Sequence, residues 1–462
     1  MAGLLLCAPA RADNLDRYIG SELSRQRIAG LSIAVIKDGK VVKAQGYGLA
    51  NVETGTPATA DTVYKIASVS KCFLAVAVMM LVEDSKLRLD DTIDRYFPDA
   101  PATWKTITIR QLLTHTSGIV EDPPGFAPFR SQPDIQVIRT LYPVPLLSKP
   151  GERWSYSNAN YFIIADIIRQ VSGVPWTDFV RDRIFRPLHM RETRTTTTTQ
   201  IVPHRAEGYI WNENHFTRAE DWIAVRPSGA FLSTVHDLVK WDDAVRRRAL
   251  LTPESWRQIL SPVRLNDGGT YPYGFGFFLD PWQGHRQIHH EGQLPGFLAA
   301  YQTFPDDRLS VILLTNTDEI DQSTLARAIA GFYAPALSPP VYKALPDDPR
   351  ITAKVKRFIA SFSDGDPDGS LFPADMANAI SGDLGLRTRV ATKLRKWGIV
   401  ASVTLVEHKP QGSMTSYRYR LAYKDSDSLL LDVTFDSARL IRGWGYDTDA
   451  AQFARAGIHR GR

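Results

Sequence analysis

Cysteine is scarce in this chain. Cys7 and Cys72 are the 2 cysteines among 462 residues. Cys7 lies in an N-terminal run expected to be removed, so no internal disulfide is expected in the mature protein. Past that run, no segment reaches the ~18 continuous apolar residues that a membrane span requires. No block of Lys and Arg stands out, and the formal net charge of +5 is spread along the chain. That distribution argues against nucleic acid as a partner. No tandem repeat at solenoid period occurs.

What is present suits buried cores: 44% of residues are apolar and 10% aromatic. At ~150 residues per domain the length suggests about two or three domains. The start reads "MAGLLLCAPARADNLDRY", in which Gly3 to Pro9 is a short apolar stretch before Ala10-Arg11-Ala12, an A-x-A cleavage pattern. Residues 1–12 are therefore expected to be a signal segment, truncated because the usual basic start is missing. The expected location is periplasmic or secreted. A lipoprotein site fits less well, since Leu6 before Cys7 is bulkier than the small residue such a site needs.

Asp13 to Ile28 has amphipathic spacing and predicts a helix. "LSIAVIKDGKVVKAQGYGLA" holds two β-rich runs around Asp38-Gly39, a hairpin signal. A long helix begins near Ser68. Helical patterns and Pro-rich loops such as "EDPPGFAPF" then dominate, with a helical lobe expected over about 80–226. Strand patterns return in "YGFGFFLD", "RQIHHEG", "FLAAYQTFP" and "LSVILLTN", followed by a helix from Asp321 to Tyr333. This order predicts an α/β (α+β) unit over 13–333, in which one antiparallel sheet is built from both ends and the helical lobe is inserted between. Residues 334–349 read as a Pro-rich linker. Residues 350–448 predict a small α+β domain with an antiparallel sheet, and 449–462 a tail. The run Thr195 to Thr199 reads as an exposed connector.

Within "YKIASVSKCFLAVAVMMLVEDSKL" an apolar stretch runs from Val69 to Val82, with Ser68 at its mouth and Lys71 one helical turn inside. Helical spacing puts Ser68 and Lys71 on one face. A serine hydroxyl is a weak nucleophile that needs a neighbouring base, and an ammonium taken out of water gives up its proton more readily. The plainer alternative is a capping serine, Ser68 or Ser70, with Lys71 reaching back to water. Tyr156-Ser157-Asn158 is the sole Tyr-x-Asn in the chain. A phenol whose pKa is lowered by a cation such as Lys71 can move protons. Asn158 can hold Lys71 and a substrate amide, or simply open a helix as its N-cap. His290-Glu291-Gly292, on an edge strand, offers a cation-capable side chain and open backbone N–H groups. His289, His290 and Glu291 do not make a metal site, because neighbouring strand residues face opposite ways and no matching ligands occur elsewhere.

Taken in order, Ser68-Val-Ser-Lys71, Tyr156-Ser-Asn158 and His290-Glu-Gly292 resemble the three active-site boxes of the serine β-lactamase and penicillin-binding-protein superfamily. The common spelling of those boxes is S-x-x-K, S-D-N and K-T-G. The Tyr-x-Asn box points to the class C β-lactamase branch, which includes D-alanyl-D-alanine carboxypeptidases, D-aminopeptidases and family VIII esterases. "LLTHTSG", "IFRPLHM", "PSGAFLSTVHDLVKW" and "LPGF" also look like that group, over roughly Leu15 to Tyr333.

The resemblance implies a β-lactamase/transpeptidase-like fold and a small ester, amide or peptide substrate, with no metal or organic cofactor. It makes Ser68 the nucleophile that forms an acyl-enzyme. Lys71 and Tyr156 share the proton work, Asn158 orients Lys71 and substrate, and the backbone N–H groups of Ser68 and Gln293 form an oxyanion hole. His115, in "LTHTSG", is expected to be structural. Class C penicillin hydrolases carry Lys in the third box, where a fixed charge meets the substrate carboxylate. His290 supplies that charge only when protonated, with an ordinary pKa of ~6.5. Recognition of a free carboxylate is therefore expected to be weaker, or assisted by an arginine that the sequence does not place. The expected activity is therefore that of an esterase or D-amino-acid peptidase. The alternatives are a cell-wall D,D-carboxypeptidase or weak β-lactamase, and a binding protein that keeps the fold without catalysis.

Overall fold

The computed structural model describes residues 9–448 apart from 196–198, 213, 319, 383, 396–397 and 425–427. Most of the expected signal segment, the centre of the Thr195–Thr199 run and the tail lie outside the described residues. The chain forms two compact units that meet in sequence at Ser338 and Pro339.

In the first unit, helix α1 (Pro9–Gln26) begins earlier than the expected Asp13. Its Leu15, Tyr18 and Ile19 are buried, and the Tyr18 ring lies 5.3 Å from Phe332. Strands β1 (Gly30–Lys37) and β2 (Lys40–Asn51) form the expected hairpin. Asp38 and Gly39 turn it with φ of 52° and 77°, the positive values that a two-residue hairpin loop demands. β3 is the short Thr56–Pro57.

The late strands β4 (Ile288–Leu294), β5 (Phe297–Phe304) and β6 (Leu309–Thr315) complete one six-stranded sheet, ordered β4-β5-β6-β1-β2-β3. β1 joins β6 antiparallel, with Ala34 opposite Ile312. The sheet is thus built from both ends of the unit, as the strand pattern predicts, and β4 is an edge.

Ala67–Val69 makes a 3-10 turn, and α2 (Ser70–Glu83) follows it. Leu, Ala and Met favour this helix, and its Val residues are accepted because tertiary packing outweighs propensity. Residues Cys72 to Leu81 are all buried. Phe73 meets Phe185 and Phe231 edge-on at 5.1 and 5.8 Å, and Trp241 at 4.4 Å. Such aromatic pairs contribute about 0.5–1.5 kcal/mol each beyond the area they bury. Helix α3 (Ala159–Ser172) packs beside α2 and ends on left-handed Gly173.

The inserted region is less purely helical than expected. Tyr64–Lys65, Phe231–Ser233 and Arg194–Thr195 form a small sheet, and Tyr209–Asn212 pairs with His215–Arg218. Two-residue strands carry no readable alternation, which is why the sequence hides them. The closing helix α4 (Gln322–Tyr333) is capped by the Asp321 side chain.

Part of the expected linker is docked. Leu337 is fully buried in the first unit and its carbonyl accepts from Trp282 Nε1 at 2.9 Å.

The second unit places α5 (Pro349–Ser363), α6 (Ala374–Gly382) and α7 (Leu384–Arg395) before an antiparallel sheet. Its strands are β7 (Val400–Gln411), β8 (Met414–Tyr423), β9 (Ser428–Phe435) and β10 (Ile441–Thr448), in that order. Phe358, Phe362, Phe372 and Trp444 form its aromatic core. Among the described residues no helix is long and apolar enough to cross a membrane.

Candidate active site

Ser68 lies on the 3-10 turn just ahead of α2, half-buried at the wall of a 690 Å³ cleft. Ala67 before it has φ of 47°, a left-handed conformation that costs a non-glycine residue energy and persists only where packing enforces it. β4 supplies that packing. A Cβ on Gly292 would lie 2.3 Å from the Ile66 carbonyl oxygen, so only glycine lets the strand approach the turn so closely. Neither Ser68 nor Ser70 caps the helix, and Ser70 Oγ instead accepts from the Phe231 N–H at 3.2 Å.

Lys71 does not reach water: it is 0% exposed. Its Nζ lies 2.9 Å from each of three oxygens: Ser68 Oγ, Asn158 Oδ1 and the Ser228 carbonyl. A carbonyl and an amide oxygen can only accept, so they engage two N–H bonds. The remaining direction faces the Ser68 hydroxyl. In a neutral amine that direction is the lone pair, aimed at the proton to be removed. Burial is the main cause that drives the Lys71 pKa well below its ordinary value, and the Arg226 charge adds to it, while Asp122 and Glu121 oppose.

Tyr156 completes the group. Its ring lies 4.7 Å below Lys71 Nζ, and its hydroxyl is close enough to Ser68 for the serine to lower the phenol's pKa. The expected lowering of its pKa is nevertheless corrected: burial raises it, outweighing Ser68 and the Arg226 charge. Asn158 does stand at the N-cap of α3, yet its side chain caps nothing and holds Lys71 instead.

His290 is corrected as well. It is 1% exposed, and burial together with Lys71 lowers its pKa to about 3. It brings no cation to the cleft at neutral pH. The charged histidine is its neighbour. His289 faces Asp280 at 3.0 Å and Glu291 at 2.8 Å. Burial disfavours that charge, but the two carboxylates outweigh it and raise the His289 pKa to about 9. For Glu291, burial is likewise outweighed by His289, and the carboxyl falls to about 2. Among the described residues no group of His, Cys, Asp and Glu gathers to hold a metal. Gln293 is exposed on β4 and, like Gly292, lines the cleft.

Sequence reasoning missed Arg226 and Ser228. Arg226 lines the cleft, ion-pairs with Asp122 and donates from Nε to Ser228 Oγ at 2.9 Å. Its guanidinium lies 5.3 Å from the Phe126 ring and 5.7 Å from Trp222. Arg226 directly precedes the quoted stretch "PSGAFLSTVHDLVKW", but nothing in its spacing marks it. Ser228 acts on Lys71 through its backbone, which no motif encodes.

Nucleophile, buried amine, amide and phenol converging beside an edge strand define a serine hydrolase of the β-lactamase/transpeptidase fold. Residues 15–334 match the Beta-lactamase family, and the chain belongs to it. Penicillin-binding protein 4* of Bacillus subtilis (strain 168) is 29% identical over 311 residues, spanning 62% of this chain and 68% of the relative. Two solved structures share the fold. The octameric penicillin-binding protein homologue from Pyrococcus abyssi has a TM-score of 0.63 at 21% identity, covering 94% of this chain and 95% of its own. The D-amino acid amidase from Ochrobactrum anthropi SV3, complexed with D-phenylalanine, has a TM-score of 0.61 at 22% identity, covering 70% of this chain and 99% of its own.

Proposed function

We propose that this chain hydrolyses small esters or D-amino-acid amides and peptides through an acyl-enzyme on Ser68. The observation that carries the reading is the Lys71 Nζ, held by two obligate acceptors with its third direction on the Ser68 hydroxyl. Ser68 Oγ bonds to the substrate carbonyl carbon as its proton passes to Lys71. The backbone N–H groups of Ser68 and Gln293 receive the developing oxyanion. Tyr156 works as a neutral phenol, a donor that delivers a proton to the departing alkoxide or amine and is then recharged from Lys71. Water attacks the acyl-enzyme, gives its proton back through the same pair and frees the acid and Ser68. Asn158 keeps Lys71 in line throughout.

The cleft wall favours acyl donors without a carboxylate. His290 is neutral there, while Glu121, Asp122, Glu291 and Asp318 line the same space. The D-amino acid amidase named above fits such a cleft in substrate type. One observation favours a D,D-carboxypeptidase or weak β-lactamase instead: Arg226 lines the cleft and is a cation that a carboxylate can meet.

Exposure to a fluorophosphonate and, separately, to penicillin G, followed by intact mass measurement, tests both. Mass gain with the fluorophosphonate alone, absent in Ser68→Ala, is the expected result. Gain with both favours the carboxypeptidase reading. No gain with either, in folded protein, leaves a binding protein that keeps the fold.

A further inference from the structure

Behind the cleft wall runs a line of buried hydrogen bonds that the proposed chemistry does not use. It begins at the Ser157 N–H, beside Tyr156, which reaches His115 Nδ1 at 3.1 Å. His115 Nε2 lies 3.2 Å from the Tyr273 hydroxyl, and that hydroxyl lies 3.3 Å from His290 Nε2. His290 Nδ1 lies 2.6 Å from the Glu291 carbonyl oxygen on β4. His115, Tyr273 and His290 are each at most 1% exposed.

Both ends of this line have fixed polarity. A backbone N–H only donates, so His115 Nδ1 accepts and, in a neutral ring, Nε2 carries the hydrogen. A backbone carbonyl only accepts, so His290 Nδ1 carries the hydrogen and Nε2 is left to accept. The Tyr273 phenol joins the two, accepting from His115 and donating to His290. The Tyr161 hydroxyl is also beside Tyr273, but its own hydrogen points to the Leu113 carbonyl at 3.4 Å, and a phenol oxygen is a poorer acceptor than an imidazole nitrogen. Every site on the line is then satisfied in a single direction. Neither terminal group exchanges its role, so the line cannot pass a proton along. It is a tie and not a relay.

We propose that His115 and Tyr273 are positioning residues that lock His290 as a neutral Nδ1–H ring with both nitrogens spent inside the protein, and thereby bolt the Tyr156 loop to strand β4 across the cleft floor. The His115 ring lies against Tyr156 at 4.4 Å, so the same tie sets the phenol's place. His290 consequently offers substrate neither a charge nor a hydrogen bond. The charged and titratable groups around it are Lys71, His289 and Glu291, with Tyr156 and Tyr273 beside its ring. Lys71 and the His289 imidazolium both oppose a further positive charge on His290, while Glu291 is already engaged by His289. The inference deepens the hydrolase reading, and its consequence for activity rests on that reading.

Nitrogen-15 NMR of the full chain tests it, with signals assigned from His115→Gln and His290→Gln spectra. Between about pH 5 and 8, the range where an ordinary histidine titrates, both rings are expected to stay neutral, His115 as the Nε2–H and His290 as the Nδ1–H tautomer. Tyr273→Phe is expected to shift both rings' signals. It should also lower kcat for a p-nitrophenyl ester by about 10- to 100-fold with KM nearly kept, as a small misplacement of a catalytic group does. An imidazolium or Nε2–H tautomer at His290 in the unaltered protein would overturn the proposal, as would an unchanged kcat in folded Tyr273→Phe. Should Tyr273→Phe not fold, the tautomers of the unaltered protein decide alone. They also stand apart from the hydrolase reading, because they are measured without substrate.

Discussion

Lys71 and Arg226 are joined through one residue. Ser228 gives its carbonyl oxygen to Lys71 Nζ at 2.9 Å and its hydroxyl to Arg226 Nε at 2.9 Å. The guanidinium is thereby held near the buried amine and adds to the lowering of its pKa that burial begins. Arg226→Gln removes that charge and leaves Asp122 unpaired, and both changes favour the ammonium form. The Lys71 pKa rises, so the acid limb of kcat/KM moves toward higher pH. A pH–rate profile on a neutral ester measures the shift; an unmoved limb means that Lys71 does not feel Arg226.

Lys71→Ala removes the amine itself. A general base in place is worth about 10²- to 10⁴-fold in rate, and a loss of that order in ester hydrolysis is expected. Circular dichroism and a thermal melt on the same sample establish that the variant is folded. An unchanged rate in folded protein would rule out the proton role.

Gly292→Ala tests the close approach of β4 to the nucleophile turn. The added methyl meets the Ile66 carbonyl, and the turn bearing Ser68 has to move. Overpacking of this kind costs about 1–3 kcal/mol. A lower melting temperature together with reduced kcat is expected. A loss of stability alone would place the strain away from Ser68.

His289 and Glu291 make stability depend on pH. His289 is raised from 6.5 to about 9, so its ion pairs contribute fully below pH 6.5 and are lost as pH climbs through 9. Glu291 is lowered from 4.5 to about 2, so its contribution is present above pH 4.5 and is lost as pH falls through 2. His289→Gln should flatten the alkaline arm of a melting temperature–pH curve. If the arm keeps its slope, another group is responsible.

Much of the fold is legible in the sequence because periodicity and turn chemistry are local. Asp38-Gly39 announces its hairpin, and the apolar run after Ser68 announces a buried helix with a lysine that has no polar face to occupy. Among the strands that end the second unit, β8 alternates openly in "SYRYRLAY". The site is legible as far as Ser68, Lys71, Tyr156 and Asn158, whose motifs are short but ordered. What lies beyond depends on desolvation and on backbone atoms. His290 looks like a cation in sequence and is neutral in place, because a ring cut off from water loses the hydration that would support its charge. Tyr156 looks like an acidified phenol and is the reverse for the same reason. Arg226 comes from a loop, where three-dimensional closeness leaves no spacing to read, and Tyr273 opens "YGFGFFLD", which reads as a strand but forms isolated bridges, Tyr273 to Phe278 and Phe278 to His289.

The sheet imposes an order on synthesis. Thr315 Oγ1 donates to the Gly30 carbonyl across 285 positions of chain, and β1 lies between β2 and β6. A nascent polypeptide leaving the ribosome can close the β1–β2 hairpin at once, yet the opposite rim of β1 stays bare until almost the whole first unit has emerged. An uncovered strand rim is a template for wrong partners. This order of strands thus leaves one rim of β1 without its partner through most of the first unit's synthesis.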